Sequence, residues 1–62
     1  MMEEFVTIKD YGRPEYLDGA MMQYVVVIGS YPNGHTVAYC ETIEIARTMA
    51  HALGKTVIID QS

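Results

Sequence analysis

Cys40, His35, His51 and Ser30 have the greatest capacity for chemistry in this 62-residue chain. Cys40 precedes Thr42, the expected start of a helix, and a thiol near a helix N-terminus is held more acidic and more nucleophilic than a free one. To act as a catalyst it would need a base within hydrogen-bond reach. His51 falls near the other end of the same helix and cannot serve Cys40 within one subunit. His35 follows Pro32-Asn33-Gly34 and reads as an exposed residue opening a strand. A free cysteine otherwise behaves as a small buried hydrophobe. One cysteine and two separated histidines do not make the convergent ligand set a zinc ion requires. Asp10, Glu15 and Asp18 lack the alternating oxygen ligands and closing glutamate of a calcium loop. Gly29 to Gly34 lacks the lysine-serine/threonine ending of a phosphate loop and leads into a strand instead of a helix. The chain is therefore expected to be no enzyme, with no catalytic residue, no metal and no cofactor.

Recognition chemistry is better represented. Tyr11, Arg13 and Tyr16 lie close together with Glu15 and Asp18, and Tyr31 sits beside Pro32 in a turn. Tyrosine and arginine are over-represented among the residues that dominate binding energy. These six positions are the expected partner-binding residues, with Tyr31 projecting because a turn beside proline seldom buries an aromatic ring. Eight acidic against four basic residues give a net charge of −4. Lys9, Arg13, Arg47 and Lys55 are scattered, so the chain has no evident basic surface for phosphates, and nucleic acid is disfavoured as a partner.

The elements that position these residues follow from patterning. Phe5 to Lys9 reads as a first strand, Asp10 to Gly19 as a loop, Met21 to Gly29 as a second strand, and His35 to Tyr39 as a third. Pro32-Asn33-Gly34 reads as a hairpin turn with glycine in the left-handed conformation. Thr42 and Gly54 bracket a helix whose Ile43, Ala46, Met49, Ala50 and Leu53 form an apolar stripe, widened by Ile45 and Ala52. Thr56 to Ile59 is the last strand, and Asp60-Gln61-Ser62 a polar tail. The expectation is one α+β domain over residues 1–62. It has a three- to four-stranded sheet in the order β-β-β-α-β, one helix on one face, and strands three and four joined by a crossover.

Tyr24 to Ile28 and Thr56 to Ile59 are apolar on both faces, unlike half-buried strands. One helix covers one face only. Chains of this size are marginally stable without a staple or partner, and a single cysteine forms no intrachain disulfide. The second face is therefore expected to be buried in a homo-oligomer, a two-fold dimer with Val25, Val27, Ile58 and Met22 at its interface. No apolar run approaches the length of a membrane span, and Met1-Met2-Glu3-Glu4 is acidic where an export signal is basic, so a cytoplasmic protein is expected.

Three strands, the Thr42–Gly54 helix and a final Lys55–Ile59 strand are similar in order to small antitoxins with a partial ribonuclease-H-like fold, a likeness of topology alone. The functional expectation is a small acidic protein that binds another protein, of the inhibitor or adaptor kind encoded by phages and mobile elements. A small-molecule-binding or sequestering protein with a pocket at the dimer interface and an antitoxin-like regulator are the alternatives.

Overall fold

Asp18 and Gly19 both adopt positive φ, 54° and 83°. Paired left-handed residues make the two-residue turn whose twist matches a β-hairpin. They fold a first strand, β1 (Phe5–Leu17), back onto a second, β2 (Ala20–Ile28). The computed structural model of the chain describes residues 5–61. The acidic start, Met1 to Glu4, and Ser62 lie outside them. β3 (His35–Cys40), the helix α1 (Ile43–Ala52) and β4 (Thr56–Gln61) complete the expected element order.

The described strands form one sheet in the order β3-β2-β1-β4. β1 and β2 are antiparallel, β2 and β3 antiparallel, and β1 and β4 parallel. The crossover helix thus joins the two edges of the sheet, and β3 and β4 run in the same direction with β2 and β1 between them.

Thr42 caps the helix through its side-chain oxygen, which accepts from the Ile45 amide at 3.3 Å. At the other end Gly54 takes φ 72° and donates to the His51 carbonyl. Ala46 and Ala50 are the fully buried helical residues. Their small side chains let α1 lie close against Val6, Ile8, Val26 and Cys40, with Ile43 and Leu53 half-buried at its ends. Met49, expected in the core, is 42% exposed, and Ile45 and Ala52 also face outward. The contact line runs through Ala46 and Ala50, which leaves Met49, Ile45 and Ala52 on its flanks.

The segment expected to be a loop, Asp10 to Gly19, is mostly strand. Pairing breaks between Asp10 and Glu15, where Gly12 and Pro14 are absorbed in an irregularity, and then resumes as Glu15↔Met22, Tyr16↔Met21 and Leu17↔Ala20. Asp10 organises the break: its carboxylate accepts from the Gly12 amide at 2.7 Å and from Gln23 Nε2 at 3.1 Å. Because β3 pairs with residues 24–28 and β4 with 5–10, residues 15–17 and 20–22 form a two-stranded arm beyond the four-stranded body.

Gly34 does not adopt the expected left-handed conformation. It is needed for space: a Cβ there would collide with the Ile28 carbonyl oxygen and lie 2.7 Å from Val27 Cγ1.

The face away from α1 is covered in part by the chain itself. Met22, Val25 and Val27 form a second buried cluster, packed against Tyr11 and Tyr31. Three of the residues expected to meet a second copy are therefore already enclosed within one chain, whereas Ile58 is 46% exposed. Tyr31 is not the projecting ring expected from its neighbour Pro32; it is half-buried over this cluster.

Candidate functional site: a tyrosine-lined cleft

Tyr11 ends the regular part of β1 on the face opposite the helix, and Tyr31 descends onto it from the β2–β3 loop. Their rings meet edge to face, with centroids 6.1 Å apart and planes at 77°. Their hydroxyls hydrogen-bond at 2.8 Å. Lys9 places its ammonium 5.5 Å from the centre of the Tyr31 ring and 3.9 Å from the Asp60 carboxylate. The Tyr11 phenol is pushed up to about 12, first by its hydrogen bond with Tyr31 and then by burial. Both effects favour the neutral phenol.

Tyr11 also lines the floor of a cleft, together with Met22. Glu15, Tyr16 and Leu17 bound it on the two-stranded arm, and Tyr39 closes it from β3, giving a cavity of about 360 Å³. Tyr16 is 73% exposed and Tyr39 53%. Tyr39 lies opposite Val25 in the sheet, which directs its ring away from the helix. The arm carries one exposed ion pair, Arg13 Nε to Glu15 Oε2 at 2.9 Å. Such pairs contribute little to stability, so both groups are available to a partner at low cost.

The structure brings together Tyr11, Glu15 and Tyr16 of the expected partner-binding residues. It adds Arg13 at their margin, uses Tyr31 as a buttress behind Tyr11, and leaves Asp18 in the hairpin turn at the tip of the arm. Sequence reasoning missed Tyr39 and Leu17. Tyr39 could have been found from alternation, since it points opposite to its neighbour Cys40, which packs beneath the helix. Leu17 could have been found from Asp18-Gly19, a strong hairpin signal that makes its flanking residues strand ends.

Elsewhere, Cys40 is buried with Sγ 3.7 Å from Met49 Sδ, and burial raises its thiol above the ordinary value. That is the environment of a packing residue. His51 stands in the last turn of α1 and His35 at the start of β3. Among the described residues no group of three or more His, Cys, Asp or Glu side chains converges as a metal site. No helix among them is long and apolar enough to cross a membrane. Comparison with known proteins finds no matching family model, curated protein or solved structure.

Proposed function

We propose that this chain is a cytoplasmic binding protein that recognises another protein through the tyrosine-lined cleft and its arm, and that it works as a self-associated dimer. The observation that carries the reading is the arm itself. It extends past the sheet body and presents Tyr16 and Leu17 outward beside Tyr39. Rings of this kind supply a large contact area at little cost in conformational freedom. The net charge of −4, with Glu15 in the cleft wall, selects a partner whose contact surface is basic. The mechanism is steric occlusion of that surface, as expected of an inhibitor or adaptor.

The test compares captures by the wild-type chain and by a Tyr16→Ala, Tyr39→Ala variant that circular dichroism shows to be folded. A partner retained by the first and lost by the second supports the reading. Equal retention removes the cleft from it.

A second reading is favoured by the cleft's volume, which lies within the usual range for small-ligand sites. There the tyrosines stack on a planar ligand. Native mass spectrometry of chain purified from its producing cell separates the two, because a co-purifying small mass lost in the same double variant belongs to this reading alone.

A further inference from the structure

The two edges of the sheet are built differently. β3 is blunted: its register with β2 shifts between Val26 and Val27, leaving Val37 as an extra residue. Bulges of this sort twist an edge away from further pairing. β4 carries no such device. It pairs with β1 without a shift from Thr56 to Gln61, contains neither proline nor glycine, and has no strand on its outer side among the described residues. Ile58 lines up with Thr7 on the open face and is 46% exposed, while Ile59 lines up with Ile8 on the helix face and is 40% exposed. A partner lying on either face of the sheet would cover one of these isoleucines. A strand added at the edge would cover both.

We infer that β4 is a self-pairing edge: β4 strands of two copies join antiparallel about a two-fold axis through Ile58, making one continuous sheet. An axis normal to the sheet keeps each face on its own side, so residues that meet must share a face. Centred on Ile58, this register sets Ile58 against its own counterpart, Val57 against the second copy's Ile59, and Thr56 against the second copy's Asp60. Apolar meets apolar on both faces, and a hydroxyl meets the carboxylate. Moving the centre to Ile59 would instead place Ile58 against Asp60.

Charge selects the same place. Two chains of net charge −4 repel in general, but the acid within β4, Asp60, already has the Lys9 ammonium 3.9 Å away. The assembly carries both helices on one face and both tyrosine clefts on the other, so the two clefts engage a repeated target together. This inference rests on the self-association in the proposed function and names its surface, replacing the buried second sheet face expected from the sequence.

The experiment is sedimentation equilibrium or native mass spectrometry at micromolar concentration, on the wild-type chain and on Ile58→Lys and Ile59→Lys, each checked for folding by circular dichroism. The wild type is expected at twice its 7.0 kDa mass. Each lysine variant is expected to weaken the dimer by roughly 30-fold or more. Mixing Ile58→Lys with Ile58→Glu should restore a mixed dimer, because position 58 meets itself. Should a lysine unfold the chain, Ile58→Thr and Ile59→Thr keep strand propensity and replace it. A dimer lost with Ile58→Lys but kept with Ile59→Lys overturns the edge in favour of face stacking. A dimer indifferent to both overturns the edge and leaves self-association standing, and a monomeric wild type overturns both while leaving the tyrosine cleft to its own test.

Discussion

The Tyr11 and Tyr31 hydroxyls lie 2.8 Å apart across 20 residues of sequence, tying the second β-strand's exit loop to the first strand. The pair roofs Val25 and Val27, so it holds part of the core as well as the floor of the cleft. Tyr31→Phe, which removes one hydroxyl, should cost about 0.5–1.5 kcal/mol. Tyr31→Ala uncovers the valines and should cost more, about 2–3 kcal/mol for a half-buried ring. Urea denaturation of the two variants checks the order.

Titration gives an independent reading of the same contact. The folded Tyr11 pKa, about 12, lies above the unfolded value of 10.0. The folded state therefore keeps the proton that the unfolded state releases. The resulting stabilisation is complete below pH 10 and is lost as pH rises through 12. Absorbance titration should show one tyrosine ionising late, and Tyr31→Phe should return that step toward the ordinary range.

Gly34→Ala should destabilise by about 1–3 kcal/mol or more, since its methyl group has no space between the Ile28 carbonyl and Val27. Gly12→Ala has open space and meets only the strain of φ 82°, about 1–2 kcal/mol. Thermal melts of the two variants should rank them in that order.

In the helix, Ala46→Leu should destabilise by about 1–3 kcal/mol by forcing α1 off the sheet. Met49→Ala should cost less than about 1 kcal/mol, because Met49 lies on the exposed flank. Similar melting temperatures for these two would show that the alanines are not the contact line.

Tyr16→Ala and Tyr39→Ala should each change folding stability by no more than about 0.5 kcal/mol, as both rings are largely exposed. Together they should reduce partner affinity by about 2 kcal/mol or more if the cleft is the binding site. A melt alongside a binding titration separates the two effects.

The extent of the helix was legible, because a threonine cap and a terminal glycine are local signals, but its contact face only in part, since Ile45 and Ala52 of the expected stripe are exposed. Met49 was misplaced because periodicity gives a face but not which residue of that face touches the sheet. The three-strand, helix, strand order was also legible. The first hairpin was legible only at its turn, where Asp18-Gly19 is a local signal; its length was not, since Gly12 and Pro14 break strand patterning and nothing local announces that Asp10 repairs the break. The cleft was half legible. Tyr11, Glu15 and Tyr16 are neighbours in sequence, but Tyr39 joins them only through pairing with β2, and Tyr31 is drawn inward by a contact 20 residues distant.

The parallel pairing of β4 with β1 sets the order in which the molecule can be completed. Phe5 aligns with Thr56, whereas Leu17 and Ala20 meet across a two-residue turn. Closing the long loop carries the larger entropic penalty, and β4 is also the last described strand to leave the ribosome. Until it docks, β1 is itself an open edge. A nascent chain thus has its hairpin arm and tyrosines before it has the strand inferred to pair copies. Pairing through β4 then waits on its docking against β1, and hydrogen exchange should find β4 amides opening before those of β1 and β2 in the dissociated chain.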